Sequence, residues 1–458
     1  MKYDKIISQI IGRKLLILGF GKEGFASYSF IRKILPDIQL SIADKNTQLL
    51  DLYPVLAEDK NVLFNLGDAY LENLNSYDLI IKTPGISFSK NNINIAAEKI
   101  TSQTDLFLSQ FSTQIIGITG TKGKSTTSSL IYHVLKAKFD DVLLVGNIGL
   151  PPFDFVDSIT ENTKIVFELS SHQLEYVKFA PNISIILNIY QEHLDHYHSY
   201  SDYQKAKLNI ALKQNEDDYF IYCSDNQLLC DLVKTNLIKS EKLEFSNAES
   251  ISGNGVFLKE NNLVEKEDEL TNEVYDINST RYLLGNHNLL NISAAYLACE
   301  LLGVEPDFFF EKMSSFKGLP HRMQFVGEFD RIKYYNDSIA TIPEATIQAI
   351  TALKEVGSLI LGGFDRGIDY SILINYLAAN PIDYIYFMGD AGKRMYDAVD
   401  ETCKYRSRLV SDLQEAVDLA KKNTKVGKIC LLSPAASSYD KFKNFEHRGD
   451  YFIKLVSE

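Results

Sequence analysis

The chain has 458 residues, 45% of them apolar, which is more than one hydrophobic core usually supports, so we expect two or three domains. With 47 basic against 60 acidic residues its formal net charge is −13, which argues against a general nucleic-acid or anionic-membrane surface but allows local basic pockets. The five cysteines form no C-x-x-C pair, which favours reduced thiols over a disulfide framework or a zinc site. Neither a leader-like N-terminus nor a long apolar run occurs, so we expect a cytoplasmic protein that does not span a membrane.

A glycine-rich loop is the first motif along the chain. Residues 19–24 have the G-x-G-x-x-G spacing between an apolar run and a segment of helical period, and Asp44 lies twenty residues further on. This arrangement is typical of a dinucleotide site. The same loop suits any nucleotide diphosphate at a helix N-terminus, or a turn without a ligand. The motif alone leaves an NAD(P) site, another nucleotide site and a structural turn open.

Residues 117–127 predict a phosphate-binding loop. Glycines allow backbone N–H groups to turn toward phosphate oxygens, Lys124 supplies a cation, and Ser125 or Thr126 offers a hydroxyl to Mg²⁺. The strict G-x-x-x-x-G-K-[ST] pattern requires glycine where this chain has Ile118, whereas the shorter T-G-T-x-G-K-[ST]-T form is intact. A glycine-rich turn with a chance lysine is the alternative. Because a strand is predicted before the loop and a helix after it, we favour ATP binding.

Polar groups that suit a metal follow two later apolar runs. Glu168 comes directly after one run, where a nucleotide-bound Mg²⁺ accepts a carboxylate ligand; a solvated or helix-capping glutamate is the alternative. The next run leads into His193, His196 and His198. Their spacing lacks H-E-x-x-H, which argues against a catalytic zinc, and a polar loop of exposed imidazoles remains open.

Apolar runs that predict strands alternate with helical segments along the chain, which indicates an α/β fold with mostly parallel sheets. Residues 241–282 are more polar and irregular and predict antiparallel hairpins attached to the middle block. At three places, near residues 18, 117 and 361, glycine accompanies an apolar run that predicts a strand. Each of these places indicates the start of a separate sheet. We predict a Rossmann-like domain at 1–103, a P-loop ATPase domain at 104–318 and a second Rossmann-like domain at 319–458.

Together these motifs resemble those of the Mur ligase family over nearly the whole chain. Several motifs in the same order are more specific than any one of them. The matching segments are residues 120–126, 146–149, 168–171, 192–195, 206–208, 285–288 with 291, 319–322, 336–338, 433–435 and 442–449.

The resemblance implies an ATP-dependent amide ligase of peptidoglycan precursor synthesis. ATP would phosphorylate the carboxylate of UDP-N-acetylmuramoyl-L-alanine, the amine of glutamate would attack the acyl phosphate, and phosphate would leave. By similarity, Ser125 and Glu168 hold the Mg²⁺ of the nucleotide, and His193 with Lys207 holds a second. An ammonium cannot bind Mg²⁺, so the family implies that Lys207 is carbamylated; without the family it is an ordinary helix lysine. We expect a monomer with small-molecule substrates and no nucleic-acid or membrane partner.

The resemblance also assigns the other site residues, with catalytic roles for Lys124, His193 and Lys207. ATP is expected at Gly120, Thr121, Lys122, Gly123, Lys124, Ser125 and Thr126, with Asn288 and Asn291 on the adenine side and Arg322 and Asp337 reaching phosphate and ribose. The UDP-sugar is expected at Gly19, Phe20, Gly21, Lys22, Asp44, Pro84 and Gly85, with Asn147 beside its carboxylate. The incoming amino acid is expected at Thr341, Arg366, Ser438, Tyr439 and Phe445.

The amino-acid pocket departs from the family pattern at Ile339, where many members carry a lysine that pairs with the side-chain carboxylate of glutamate. Arg366 matches another cationic position and offers bidentate contact to a carboxylate. The C-terminal S-P-A-x-S-S-x-D-x-F-K-N-F pattern belongs to the glutamate-adding branch, so we favour D-glutamate, with an L-glutamate-adding variant as the alternative. An NAD-dependent oxidoreductase explains only residues 19–44 and is a remote alternative.

Overall fold

The computed structural model describes residues 3–146, 151–276, 279, 281–283 and 285–458. The chain forms two compact units, Met1–Ser279 with His287–Met313, and Thr280–Asn286 with Ser314–Glu458. The first unit holds an N-terminal and a central sheet, and the second holds a C-terminal sheet. The predicted α/β class with mostly parallel sheets is confirmed, while the domain boundaries near residues 103 and 318 stay predictions.

Five short parallel strands form the N-terminal sheet: β1 (Leu15–Leu18), β2 (Leu40–Asp44), β3 (Val62–Leu66), β4 (Leu79–Lys82) and β5 (Ile100–Thr101). The strand order is β3-β2-β1-β4-β5. The order reverses between β1 and β4, so the loops after these strands lie side by side at the carboxyl edge, where such sheets bind ligands. The helices are α1 (Asp4–Ile10), α2 (Lys22–Ile34), α3 (Leu49–Leu52), α4 (Val55–Glu58) and α5 (Gln103–Phe111).

Nine strands form the central sheet: β6 (Ile115–Thr119), β7 (Val142–Gly146), β8 (Lys164–Glu168), β9 (Ile183–Ile186), β10 (Tyr219–Cys223), β11 (Glu241–Phe245), β12 (Asn254–Lys259), β13 (Asn262–Glu267) and β14 (Leu270–Asp276). Their order is β14-β13-β12-β11-β10-β9-β6-β8-β7. Because β6 lies between β8 and β9, the loops after these three parallel strands meet at one edge. The helices are α6 (Lys124–Lys138), α7 (Ser171–Leu174), α8 (Tyr200–Leu212), α9 (Gln227–Thr235), α10 (Asn286–Glu300) and α11 (Pro306–Ser315).

The prediction of antiparallel hairpins for residues 241–282 was wrong for its first part. β11 pairs in parallel with β10, and β12 pairs in parallel with β11. Only β12 to β14 form antiparallel pairs. Charged and apolar residues alternate in β11, as they do in a strand with one face buried. Such a strand pairs in either direction, so the pattern alone did not show whether β11 is parallel or antiparallel to its neighbours.

Six strands form the C-terminal sheet: β15 (Gln324–Phe329), β16 (Ile332–Asn336), β17 (Val356–Gly362), β18 (Tyr384–Met388), β19 (Ser407–Leu409) and β20 (Ile429–Leu432). Their order is β15-β16-β20-β17-β18-β19, and all pairs except β15–β16 are parallel. Leu359 and Leu361 pack in one apolar cluster and Ile360 in another, so both faces are covered, as expected for a parallel sheet. The helices are α12 (Pro343–Leu353), α13 (Ser371–Ala379), α14 (Gly389–Ala398), α15 (Glu401–Lys404), α16 (Leu413–Asn423) and α17 (Phe445–Ser457).

Local side-chain bonds set several helix starts. Ser102 accepts a hydrogen bond from the N–H of Asp105 at the start of α5, and Ser199 accepts one from Asp202 at the start of α8, as N-cap serines do.

The five cysteines, all within the described part of the chain, are free thiols. Among the described helices, none combines the length and apolarity needed to cross a bilayer.

Candidate active site

The predicted phosphate-binding loop joins β6 to α6 at the edge where β8 and β9 also end. Gly120 and Gly123 have φ angles of +154° and +90°, which L side chains rarely adopt. A Cβ atom on Gly123 would lie 2.4 Å from Oδ1 of Asn291, so glycine lets α10 approach the loop. The N–H of Thr121 donates to the carbonyl of Asn188 over 2.9 Å. Contacts from two neighbouring elements therefore fix the shape of the loop.

Lys124 and Ser125 begin α6 and point into the loop. Nζ of Lys124 donates to the carbonyl oxygens of Gly120 at 2.9 Å and Thr121 at 3.2 Å. Oγ of Ser125 donates to Oε1 of Glu168 over 3.1 Å. Glu168 is the fully buried last residue of β8. A hydroxyl and a carboxylate at this distance are the hard oxygen donors that Mg²⁺ prefers, so the two residues predicted for the nucleotide metal lie together.

Lys207 lies on α8 with only 2% of its surface exposed. Its Nζ donates to the carbonyl of Gly120 over 2.8 Å and lies 5.0 Å from the ring centre of Tyr203. Burial and then the charge of Lys124 lower the pKa of Lys207 to about 7, against an opposing effect of Glu192. A lysine with this pKa is partly neutral near pH 7. Lys207 is therefore not the ordinary helix lysine that its sequence position alone suggests.

His193 lies in a tight turn after β9. Its φ is +58°, and its carbonyl accepts hydrogen bonds from the N–H groups of His196 at 3.0 Å and Tyr197 at 3.2 Å. Its imidazole is about half exposed. Burial is the largest cause that lowers the pKa of His193, which favours the neutral ring that binds metals. Within the described residues, no three His, Cys, Asp or Glu side chains are arranged around a common metal position.

Two further histidines adjoin His193. The ring of His172 lies 4.7 Å from that of His193 and 4.1 Å from that of His196, between ring centres. Burial, helped by the charges of His196 and His193, lowers the pKa of His172 to about 4. Nε2 of His196 lies 3.2 Å from Oε2 of Glu175, whereas His198 is exposed. The sequence drew attention to His196 and His198 but not to His172, which the fold brings in from α7.

Asn288 and Asn291 lie one turn apart on α10, and both are buried. Nδ2 of Asn291 donates to Oδ1 of Asn288 over 2.9 Å, and Oγ1 of Thr127 donates to Oδ1 of Asn291 over 3.3 Å. The pair thus packs against the first turns of α6, directly behind the P-loop. Its assignment to the adenine side of ATP stays a prediction.

The predicted substrate loops meet at the edge of the N-terminal sheet. The N–H of Phe20 donates to Oδ2 of Asp44 over 2.6 Å, so Asp44 at the end of β2 shapes the loop after β1. The ring of Phe20 is buried against Phe25 and Tyr53. The ring of Phe20 therefore belongs to the core, and the predicted contact of Phe20 with the substrate would involve its backbone.

Glycine at position 19 lets the two substrate loops touch. A Cβ atom on Gly19 would lie 2.0 Å from Oγ1 of Thr83, the residue before the Pro84–Gly85 turn. Gly21 and Lys22 are exposed at the start of α2. Asn147, predicted beside the substrate carboxylate, lies outside the described residues.

A single cavity of about 820 Å³ in the first unit connects these parts. It has the size of a small-molecule site. Residues of the predicted substrate loops and of the P-loop both line it, so one cavity adjoins the N-terminal sheet and the predicted phosphate-binding residues. Of the predicted residues, Lys22, Pro84, Gly85, Gly120, Lys124, His193 and Lys207 line it.

Asp337 follows β16 in the second unit and is almost fully buried. Oγ of Ser433 donates to its Oδ2 over 2.8 Å, and the N–H of Met323 donates to its Oδ1 over 3.1 Å. Burial raises the pKa of Asp337 to about 7, against these hydrogen bonds and the charge of Arg322. Arg322 itself is exposed. The carboxylate of Asp337 thus braces the loops after β16 and β20, and its contact with ribose stays a prediction.

The predicted amino-acid residues follow the carboxyl ends of β16, β17 and β20. Nη2 of Arg366 donates to the carbonyl of Thr341 over 2.9 Å, which places its guanidinium beside the segment that contains Ile339. Ser438 is buried, whereas Tyr439 is 70% exposed. Phe445 begins α17, and its carbonyl accepts a hydrogen bond from Oγ of Ser338 over 2.9 Å.

Arg448 is a structural residue within the matching segment 442–449, and no role was predicted for it. It is fully buried, and burial lowers its pKa to about 10. Its guanidinium donates to the carbonyls of Ser338 at 2.8 Å, Ala436 at 3.0 Å and Ser437 at 3.2 Å. Arg448 therefore joins the two loops that carry the predicted amino-acid pocket.

Tyr203 is a site residue that the sequence analysis missed. Its hydroxyl lies 2.8 Å from Oγ1 of Thr121 in the P-loop, and its ring is next to Lys207. Tyr203 precedes Lys207 by one helical turn on α8, so the i, i+4 spacing was the signal available for it.

Two family models match the chain: "Mur ligase middle domain" at residues 118–299 and "Mur ligase, glutamate ligase domain" at residues 321–436. A relative from Acetivibrio thermocellus is 32% identical over 470 residues, covering 100% of this chain and 98% of the relative. The chain belongs to the Mur ligase family. The predicted family resemblance is thereby confirmed.

Two relatives that are similar over the full length of the chain carry the name of one activity. The Acetivibrio thermocellus relative and one from Caldicellulosiruptor saccharolyticus, 31% identical over 98% of this chain and 99% of its own length, are both named UDP-N-acetylmuramoylalanine-D-glutamate ligase. Among solved structures, the MurF ligase from Thermotoga maritima in complex with ADP has a TM-score of 0.56 at 17% identity, covering 98% of this chain and 96% of that one. This structural similarity supports the fold alone.

Proposed function

We propose that this chain is an ATP-dependent ligase that joins glutamate, with D-glutamate favoured, to UDP-N-acetylmuramoyl-L-alanine in peptidoglycan precursor synthesis. The observation that carries the proposal is the cavity in which the substrate loops, the P-loop and Lys207 face one another. Full-length similarity to proteins named for this reaction supports it.

The residues of the cavity suit transfer of a phosphoryl group to a carboxylate. The γ-phosphoryl group of ATP passes to the substrate carboxylate, giving ADP and an acyl phosphate. The amine of glutamate then attacks the acyl carbon, the C–O bond to phosphate breaks, and the amine loses a proton. Lys124 at the start of α6, with the backbone N–H groups of the loop, offsets the negative charge of the transferring phosphoryl group.

The donor set at the P-loop fits Mg²⁺. Oγ of Ser125 and Oε1 of Glu168 lie 3.1 Å apart, and both are oxygen donors. Bound there, Mg²⁺ would neutralise phosphate charge. His193 and Lys207 are the residues proposed for a second Mg²⁺, which requires Lys207 in a form that carries oxygen.

Carbamylation supplies that oxygen. A neutral Lys207 amine adds to carbon dioxide, forms an N–C bond and releases one proton, which leaves a carboxylate on the lysine. Three observations support it: Lys207 is 2% exposed, its pKa is lowered to about 7, and its Nζ lies 2.8 Å from the P-loop carbonyl of Gly120. Replacing a cation by an anion there also relieves the repulsion from Lys124.

Arg366 is the proposed partner of the glutamate side chain. Since position 339 is isoleucine, the cation that many family members place there is absent, and the guanidinium of Arg366 lies beside the same segment through its bond to Thr341. A guanidinium binds a carboxylate in bidentate fashion. The substitution at Ile339 is also the observation that keeps L-glutamate as the alternative substrate.

Trapping of the acyl phosphate tests the reaction class. The chain is incubated with ATP, Mg²⁺ and UDP-N-acetylmuramoyl-L-alanine, with hydroxylamine in place of glutamate. We expect a hydroxamate of the sugar nucleotide and one equivalent of ADP. ADP release without hydroxamate, or hydroxamate without ATP, would contradict an acyl phosphate ligase.

A further inference from the structure

An ion-pair network beneath the cavity has no role in the reaction as proposed above. Nζ of Lys82 lies 3.3 Å from Oε2 of Glu175, and the same oxygen lies 3.2 Å from Nε2 of His196. Lys82 is 3% exposed. Glu175 therefore bridges the N-terminal sheet and the turn after β9, 93 and 21 residues away along the chain.

Lys82 lies between the two substrate loops. It is the last residue of β4 and pairs in register with Leu18 of β1, so the loop at Gly19 and the Pro84–Gly85 turn both begin next to it. The rings of Tyr176 and Phe88 lie 5.3 Å and 5.8 Å from its Nζ. A cation buried among rings depends on its carboxylate partner, since removal of one partner leaves an uncompensated charge.

His196 closes the turn that carries His193. The N–H of His196 donates to the carbonyl of His193 over 3.0 Å, and Ser87, which follows the Pro84–Gly85 turn, donates from Oγ to the carbonyl of His196. The φ of +58° at His193 is one that a non-glycine residue keeps only when its surroundings hold it. The side chain and the carbonyl of His196 are thus both fixed, the first by Glu175 and the second by Ser87.

We propose that Lys82, Glu175 and His196 form a positioning network that couples binding of the sugar nucleotide at the N-terminal sheet to binding of a divalent metal at His193. This inference rests on the proposed function, because the sugar nucleotide and the divalent metal are the ligands proposed there. A substrate diphosphate that orders the loops beside Lys82 also orders Glu175 and, through it, the His193 turn. By linkage, metal at His193 tightens sugar-nucleotide binding by the same factor.

The coupling is measured with Mn²⁺ as the metal probe, by electron paramagnetic resonance of free Mn²⁺. The full chain is titrated in bicarbonate buffer with a non-hydrolysable ATP analogue, with and without UDP-N-acetylmuramoyl-L-alanine. We expect the sugar nucleotide to tighten Mn²⁺ binding at least about fivefold, the lower range of measured coupling between sites. A ratio of one in the wild-type chain would overturn the network.

Three single variants, one double variant and a control locate the coupling. Glu175→Gln and Lys82→Met each lower the ratio toward one, and the double variant lowers it no further, because both act through one contact. Ser87→Ala removes only one hydroxyl and is expected to lower the ratio in part. It keeps the test decisive if the variants at the buried charges of Lys82 and Glu175 fail to fold. Lys33→Met is the matched control, since Lys33 pairs with Asp157 in an exposed ion pair of the same unit, and it keeps the wild-type ratio.

Separate outcomes distinguish this inference from the proposed function. Folded Glu175→Gln and Lys82→Met chains that keep the wild-type ratio would overturn the network while leaving ligase activity of the wild-type chain in place. A wild-type chain that shows the coupling but forms no amide product would overturn the proposed reaction instead.

Discussion

Nζ of Lys207 donates a hydrogen bond to the carbonyl of Gly120 over 2.8 Å, although the two residues are 87 positions apart. This contact brings α8 to the P-loop and places a buried amine beside the cation of Lys124. Burial and then the charge of Lys124 lower the pKa of Lys207. The arrangement favours a Lys207 that is neutral or converted to an anion over one that stays an ammonium.

The first prediction concerns that conversion. Lys207→Ala is expected to abolish ligation, because the proposed second metal loses its oxygen ligand, and a short carboxylate such as formate or acetate is expected to restore part of the rate. Initial rates against added carboxylate measure this. Lys205→Ala, an exposed lysine on the same helix, is the control and keeps full activity. Absence of rescue, together with no carbamate signal in ¹³C NMR of the wild-type chain in labelled bicarbonate, would contradict carbamylation.

Lys124→Ala is expected to lower kcat at least about 10³-fold, since a charge contact to the transferring phosphoryl group is lost. Binding of the sugar nucleotide is expected to stay within about twofold, because its proposed loops follow strands of the N-terminal sheet, whereas Lys124 begins α6 beside the central sheet. Steady-state kinetics and calorimetric titration give the two quantities. Lys136→Ala, on the exposed side of α6, serves as the control. Equal loss of turnover and sugar-nucleotide binding would contradict the separation of the two sites.

Arg366→Ala is expected to raise the KM for glutamate about 10- to 100-fold, the range for loss of a charged hydrogen-bonded partner, while the KM for ATP stays nearly constant. Initial rates at varied glutamate and varied ATP separate these effects. Arg408→Ala changes an exposed arginine on β19 and is expected to alter neither value. An unchanged KM for glutamate in Arg366→Ala would remove Arg366 from the pocket.

Asp337 predicts a pH dependence of stability. Its folded-state pKa is about 7 against an ordinary value of 3.8, so the folded chain binds a proton that the unfolded chain releases. The stability from this group is complete below about pH 4 and is lost as pH rises toward 7. Asp337→Asn does not titrate. Its Oδ1 can still accept from the N–H of Met323, whereas its amide N–H would donate to Oγ of Ser433, the reverse of the direction in the wild-type chain.

We therefore expect Asp337→Asn to be about 1–3 kcal/mol more stable than the wild-type chain at pH 8, and this advantage to be clearly smaller at pH 4.5. Urea unfolding at the two pH values measures the difference. Asp330→Asn, at an exposed aspartate in the turn between β15 and β16, is expected to show no such pH-dependent difference. A stability difference for Asp337→Asn that is larger at pH 4.5 than at pH 8 would contradict the raised pKa.

Much of the fold was readable from local patterns. Continuous apolar runs such as those of β1 and β17 indicate strands buried on both faces, and the glycines of the P-loop mark a turn that only they allow. The direction of β11 was not readable, because the same alternation suits either direction. The family resemblance implied that Ser125 and Glu168 hold one metal, and the structure brings their side chains within 3.1 Å of each other.

Contacts between distant segments account for what the sequence did not reveal. Lys82 and Glu175 are 93 residues apart, and neither belongs to a sequence motif that predicts their ion pair. Tyr203 touches Thr121 only because α8 packs beside the P-loop. Pairings of this kind depend on the order of strands in the sheets, and the strand order does not follow from the periodicity of any one segment.

The central claim is the ligation of glutamate to UDP-N-acetylmuramoyl-L-alanine, with D-glutamate favoured. The most direct measurement is product mass and phosphate release by the purified chain with Mg²⁺, ATP and the sugar nucleotide, given D-glutamate in one reaction and L-glutamate in another. We predict one phosphate per amide product with D-glutamate and no product with L-glutamate. Product with L-glutamate alone would contradict the stereochemistry, and absence of product with both would contradict the account as a whole.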